Sequence, residues 1–198
     1  MNIIPLFAQP LAVTTNKNHS LVQKNIVVKC NKLKNKIKKG GSNWSSSPYN
    51  TCSTFDIHTD KSFDPITKWV YGEITNFANE IGFKNNKINC TNSWFNFYTK
   101  HDHQEEHDHV EQRDDLIAVY FLTGSKDSGD LILKPKVTNS LYTPIPAQDN
   151  IFTWGSYMIN TEPGKLIMFK GDMKHLVTQN NSKSYRISLA YNFKFDKI

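Results

Sequence analysis

From residue 88 onward the chain is a succession of short apolar runs, each closed by a turn signal. This texture restricts its possible folds more than any other feature. Residues 88–98, 106–110, 116–122, 129–133, 151–159, 166–169, 175–179 and 185–193 read as strands. Turns fall at Gly124-Ser125, Ser128-Gly129, Pro163-Gly164 and Lys170-Gly171, where glycine and proline supply the required backbone angles. Residues 135–146, with three prolines, read as a longer loop. About eight short strands of this kind follow the N-terminal part of the chain. They predict a mainly β (α+β) fold, two sheets packed as a barrel or jelly roll.

The N-terminal part has a different rhythm. Residues 3–15 read as an extended entry segment. In residues 20–39, Val22, Ile26, Cys30, Leu33 and Ile37 fall on one helical face that runs out at Gly40-Gly41. Residues 40–63 are rich in Ser, Thr and Asn and predict loop, with one short strand around 54–57. A second helix is the clearest in the chain. Asp64 is placed to cap it, Pro65 suits its first turn, and Ile66, Trp69, Val70, Ile74, Phe77, Ala78 and Ile81 recur at three and four before Gly82. A chain of 198 residues suits one domain. Residues 1–87 are expected to be its helical support, packed outside a β core at 88–195.

Several classes are set aside. No run approaches the roughly 18 apolar residues of a membrane span. The opening MNIIPLFAQPLAV lacks the basic start of a secretory signal. Cys30, Cys52 and Cys90 are odd in number and show no paired spacing, so they read as reduced thiols in a cytoplasmic protein. The net charge is +6, carried by 24 Lys and Arg residues of which only Arg113 and Arg186 are arginine. Lysine and asparagine enriched together look like the coding bias of an AT-rich genome, which weakens the charge as a sign of a nucleic-acid partner. Lys29, Lys32, Lys34, Lys36, Lys38 and Lys39 lie largely off the apolar stripe of the first helix and read as a solvated face; a polyanion patch is the alternative. Where lysine is the default cation, each arginine calls for its own explanation.

Chemistry concentrates in residues 98–109, YTKHDHQEEHDH, which hold four of the seven histidines. On a strand, residues two apart share a face, so His107 and His109 are expected side by side beside the strongly apolar run 116–122. The equivalent pair His101 and His103 falls in the turn after Tyr98. Far downstream, His175 enters a strand after PGKLIMFKGDMK. These three histidines are candidates for one metal ion. The next strand alternates Arg186, Ser188, Ala190 and Asn192 on one face with Ile187, Leu189, Tyr191 and Phe193 on the other. A buried guanidinium needs a partner, and its planar fork suits a carboxylate held by two hydrogen bonds, which lysine cannot match. Arg186 therefore reads as a carboxylate clamp, for a ligand or for an acidic residue of the chain itself. Arg113, in EQRDD, reads as a surface residue.

His-x-His, a distant His, and Arg-x-Ser eleven residues later resemble the 2-oxoglutarate- and Fe(II)-dependent oxygenases. The flanks SWFNFYTKHDHQEEHDH, IAVYFL, SGDLIL and PGKLIMFKGDMKHLV are similar to successive strands of that superfamily. The segments IPLFAQPLAV and Asn43-Trp44-Ser45 resemble a small branch found in bacteria and marine phages. The resemblance implies a double-stranded β-helix, cupin-like in architecture. It implies Fe(II) on His107, His109 and His175, with His109 standing where most relatives have Asp or Glu. Asp108 and Glu106 are then candidate replacements for that carboxylate, or partners of the ligand imidazoles. It further implies 2-oxoglutarate held by Arg186 and Ser188, with Asn96 and Tyr98 beside it and O₂ as oxidant. Tyr120 or its neighbour Phe121 would face the same pocket, and Trp94, on the Asn96/Tyr98 face, would either line it or pack in the core. The reaction expected is hydroxylation of a substrate with release of succinate and CO₂, without a protein general base. Two other readings stay open at this point: a cupin-like metal-binding module without activity, and a structural jelly roll binding polyanions through the lysines of the first helix. Arg186-x-Ser188 favours the oxygenase, because neither alternative needs a carboxylate clamp.

Overall fold

The computed structural model describes residues 1–5, 7–41, 45–84, 86–136, 148 and 150–196. Asn43, Trp44 and, of the expected proline-rich loop, residues 137–146 lie outside the described residues. In chain order the elements are β1 (Leu11–Thr15), α1 (His19–Lys34), β2 (Tyr49–Asn50), α2 (Asp64–Glu80), β3 (Ile88–Tyr98), β4 (Gln104–His107), β5 (Leu116–Thr123), β6 (Leu131–Lys134), β7 (Tyr157–Ile159), β8 (Lys165–Lys170), β9 (Lys174–Val177) and β10 (Arg186–Phe195).

The strands form two antiparallel sheets. The larger has the order β1-β8-β5-β10-β3-β2 and the smaller β4-β9-β6-β7. From β3 to β10 the chain passes back and forth between them, so strands adjacent in sequence mostly lie in opposite sheets. That winding makes a double-stranded β-helix. It also pairs β3 with β10, the first and last strands of the core, with Tyr98 opposite Arg186 and Asn96 opposite Ser188.

Alternation along the large sheet separates two apolar layers. Leu116, Ala118, Tyr120, Leu122, Ile187, Leu189, Tyr191 and Phe193 face α1 and α2. Ile117, Phe121, Ile167 and Phe169 face the small sheet, against Leu131, Leu133 and Val177. Helix α2 contributes Ile66, Val70 and Ile74, all fully buried, each stabilising by roughly 1.5–3 kcal/mol. From α1, Ile26, Cys30 and Leu33 are buried and Val22 packs against them.

Local readings are corrected in four places. Helix α1 ends at Lys34, well before Gly40, where Leu33 O accepts from both Lys36 N and Ile37 N at 2.8 Å and closes the last turn. Asp64 does not cap α2: its own backbone is already helical, and it pairs with Lys68 at 2.9 Å. Residues 54–57 form no strand. Ile57 starts a 3-10 turn, and the strand of this region is β2, which pairs with Phe97 and Asn96. Strand β4 begins at Gln104 and stops at His107. The lysines expected on a solvated face are partly committed within the chain: in α1, Lys29 pairs with Asp60 at 2.6 Å and Lys34 lies 4.5 Å over the Phe97 ring, and beyond the helix Lys39 bonds Ser47.

Candidate metal centre

His107 is the last residue of β4 and stands directly opposite His175 of β9. Their ring centroids are 4.1 Å apart. His109 lies beyond the strand, so the expectation of two imidazoles side by side on one regular strand does not hold. Instead His109 N donates to Gly171 O at 2.8 Å, and Asp114 N donates to His109 O at 3.3 Å. The chain turns back on itself and brings the third ring in from another direction, 5.5 Å from His107 and 5.3 Å from His175. One nitrogen from each ring lies within 4.8 Å of the others. Side-chain adjustments of about an ångström bring all three to a metal–nitrogen distance of about 2.1 Å.

The remaining nitrogens are held from outside. His107 Nδ1 bonds Glu105 O at 2.8 Å and His175 Nδ1 bonds Met173 O at 3.0 Å. Each uses a carbonyl two residues back. His109 Nδ1 lies 3.1 Å from Asn192 Nδ2 and 3.8 Å from Asp114 Oδ2. Outer contacts of this kind fix the ring and its tautomer in metal sites and leave Nε2 as the ligand atom. Burial holds His175 well below the usual imidazole range, and the neighbouring rings of His107 and His109 add to it. Burial also lowers His107, against an opposing hydrogen bond to Glu105 O. Neutral imidazole is the form that ligates metal. His101 and His103 stand elsewhere, in the turn after Tyr98, where His101 N donates to Asn180 O at 2.7 Å.

The two acidic residues flanking the pair have other tasks. Glu106 pairs with Lys134 at 2.5 Å and Lys174 at 3.6 Å, and Asp108 accepts from Val110 N at 3.1 Å. The buried carboxylate packed against the triad is Asp114, from the EQRDD run that reads in sequence as a charged surface loop. Its side chain is only 4% exposed. Asn192 was visible only as a member of the Arg186 face. Arg113 is exposed, with φ +55°.

The triad shares one cleft with Trp94, Asn96, Tyr98, Arg186 and Ser188. Arg186 is 1% exposed. Its Nη1 donates to Gly129 O at 3.0 Å, its guanidinium carbon lies 4.0 Å over the Tyr98 ring, and its Nε has no hydrogen-bond partner. No ion pair joins it to an acidic residue among the described residues. An unpartnered donor on a buried cation is costly, and an anionic ligand entering the cleft would satisfy it. Gly129 makes the carbonyl contact with Arg186 possible: φ is +86°, and a Cβ there would meet Thr178 O at 2.3 Å. Around the clamp, Trp94 Nε1 donates to Asn96 Oδ1 at 3.1 Å, and Asn96 Nδ2 donates to Ser188 Oγ at 3.3 Å. The Ser188 hydroxyl therefore keeps its own proton to give. Tyr98 OH donates to Gln104 Oε1 at 2.8 Å, and Gln104 Nε2 lies 3.3 Å from His107 Nε2. Phe121, not Tyr120, faces the cleft; Tyr120 OH lies on the helical side, 2.6 Å from His19 Nδ1.

Residues 92–192 match the family described as "Putative 2OG-Fe(II) oxygenase". No curated protein matches the sequence. Solved structures similar in fold include a prolyl-4-hydroxylase from Pseudomonas putida, 15% identical, with 96% of this chain and 95% of that one covered and a TM-score of 0.65. A prolyl hydroxylase from Trichoplax adhaerens, in complex with a hypoxia inducible factor peptide fragment, is 12% identical over 92% of this chain and 82% of that one, with a TM-score of 0.67. The nogalamycin epimerase SnoN, in complex with Fe3+ and alpha ketoglutarate, is 8% identical over 93% and 78%, with a TM-score of 0.68. At these identities the likeness is one of fold.

Proposed function

Because the chain belongs to the family of 2-oxoglutarate- and Fe(II)-dependent oxygenases, we propose that its iron is held by His107, His109 and His175 and its 2-oxoglutarate by Arg186 and Ser188. Fe(II), 2-oxoglutarate and O₂ are the cofactor, cosubstrate and oxidant of such an enzyme. The residue assignment is carried by one observation: a buried guanidinium with an unpartnered Nε lines the same cleft as three imidazoles that close on one point. A plain metal-binding module gives no reason to bury that cation.

Bound Fe(II) supplies O₂ activation, coupled to oxidative decarboxylation of 2-oxoglutarate to succinate and CO₂, and oxidation of a substrate C–H bond. The chain's own part is binding and orientation. His107 from β4, His109 from the turn that follows it and His175 from β9 would hold the ion through their imidazoles. Arg186 takes the distal carboxylate of the cosubstrate, Ser188 donates its hydroxyl to it, and Asn96 sets the Ser188 hydroxyl. Tyr98 holds the guanidinium plane from below and, through Gln104, links the clamp to His107. Ile117, Phe121 and Leu131 line the inner wall and keep water from the cosubstrate. No side chain is assigned as a general base. Hydroxylation is the outcome proposed for the substrate.

The test is anaerobic addition of Fe(II) and 2-oxoglutarate. The protein is expected to develop a weak visible charge-transfer band and, once air is admitted, to form succinate slowly without added substrate. Retention of both signals in His107→Ala or in Arg186→Met would sink the assignment. Among the described residues, no helix is long and apolar enough to cross a membrane.

A further inference from the structure

We propose that Asp114, acting with Asn192 on the outer nitrogen of His109, is the positioning and counter-charge residue of the metal centre. The inference rests on the metal reading above. Three imidazoles are neutral ligands, so a divalent ion on them keeps its full charge in a buried setting, and buried charge demands compensation. Where a carboxylate ligand would supply one negative charge directly, this chain places one just behind His109.

The geometry shows a built contact. His107 and His175 have main-chain carbonyls behind them; His109 has a side-chain pair. Asn192 Nδ2 donates to Asp114 Oδ2 at 2.6 Å and lies 3.1 Å from His109 Nδ1. Asp114 is 8% exposed, and its other oxygen accepts from Thr91 Oγ1 at 3.0 Å, with Lys194 Nζ at 3.9 Å. Asp114 and His109 are also tied through the backbone, by Asp114 N to His109 O. Gly171 lies so close beneath that a Cβ there would meet Asp114 O at 1.9 Å.

Proton bookkeeping points the same way. With Nε2 given to a metal, a neutral His109 carries its proton on Nδ1. That N–H faces the Asn192 NH₂ group, which is itself a donor. The acceptor at hand is Asp114 Oδ2, 3.8 Å away, and closing to about 2.8 Å needs a shift of about an ångström. The result is a carboxylate–histidine–metal arrangement that fixes the ring and raises its basicity.

The test measures Mn(II) affinity calorimetrically, and the Co(II) visible spectrum as a report on ligand geometry, in the wild type and its variants. Asp114→Asn keeps the shape and removes the charge; its Mn(II) affinity is expected to fall about 10–100-fold, with a changed Co(II) spectrum. The exchange variant, Asp114→Asn with Asn192→Asp, returns the charge one position nearer the ring and is expected to recover Mn(II) affinity to within about threefold of wild type. Wild-type affinity in Asp114→Asn overturns the proposal. So does an exchange variant that stays as weak as the single one. If Asp114→Asn does not fold, the exchange variant decides, since it keeps both charge and packing. A wild type that binds no Mn(II), or His107→Ala that binds it equally well, overturns the metal centre itself.

Discussion

Replacing Arg186 by Met separates cosubstrate binding from folding. In the cosubstrate-free protein the guanidinium is buried, with Nη1 donating to Gly129 O at 3.0 Å and, at the longer distance of 3.5 Å, to Thr161 Oγ1, and with the Tyr98 ring at 4.0 Å. A hydrogen bond to a charged group contributes about 1.5–3 kcal/mol and a desolvated cation–π contact about 2 kcal/mol. Against this stands the effective desolvation penalty of a buried ion, several kcal/mol. The two nearly cancel, and Met fills a similar apolar volume. The melting temperature without 2-oxoglutarate should therefore move by no more than a few degrees, at about 2–4 °C per kcal/mol for a chain of this size. Binding behaves differently, because Met leaves the cosubstrate carboxylate without its cation. Loss of one partner of a buried, hydrogen-bonded charge pair costs about 2–5 kcal/mol, so Kd should rise from about 30-fold to several thousandfold. Anaerobic calorimetry with Mn(II) in place of iron gives Kd, and scanning calorimetry gives the melting temperature. An Arg186→Met protein that binds 2-oxoglutarate within about twofold of wild type refutes the clamp. One that fails to fold refutes the near-cancellation.

Other consequences are as direct. Tyr120→Phe should cost about 1 kcal/mol, the hydrogen bond to His19, and lower the melting temperature by about 2–4 °C. It should leave 2-oxoglutarate affinity unchanged, because Tyr120 faces the helices; a Kd change measured by calorimetry would place it in the cleft after all. Gly171→Ala puts a methyl group 1.9 Å from Asp114 O, so the turn carrying His109 must move. The expected cost is about 1–3 kcal/mol together with weakened Mn(II) binding; wild-type Mn(II) affinity would show that His109 does not depend on that contact. In the metal-free protein His175 sits well below its usual 6.5, so the unfolded chain binds more protons than the folded one as the pH falls past that value. Stability is full above pH 6.5 and declines below it. Urea midpoints should show this, and His175→Gln should flatten the slope; an unchanged slope would remove His175 as its source.

Much of the site was legible because its chemistry uses residue types that are rare or costly elsewhere. Arg186 stood out in a lysine-rich chain, and strand alternation gave it Ser188 on the same face and Ile187 and Leu189 on the other. The same alternation placed Trp94, Asn96 and Tyr98 together, and the structure brings all three to the cleft. Ambiguity arose where two neighbours were chemically equivalent as sequence. Tyr120 and Phe121 differ only in register, which is set by pairing with β10 and β8. Asp64 looked like a cap, but capping depends on the backbone angles of one residue, and the chain was already helical there.

The sequence by itself determined the class of fold, the strand and helix faces, and the list of residues capable of the chemistry, because periodicity and residue type are local properties. Only the tertiary structure decided how His109 reaches the triad and which carboxylate stands behind it. His109 leaves the strand, and its ring direction comes from Gly171 O and from the return of the chain at Asp114. Asn192 reaches it because β10 closes against β3 and β5. The Gly171 and Asn192 contacts join residues far apart in the chain, and no local pattern encodes such pairings.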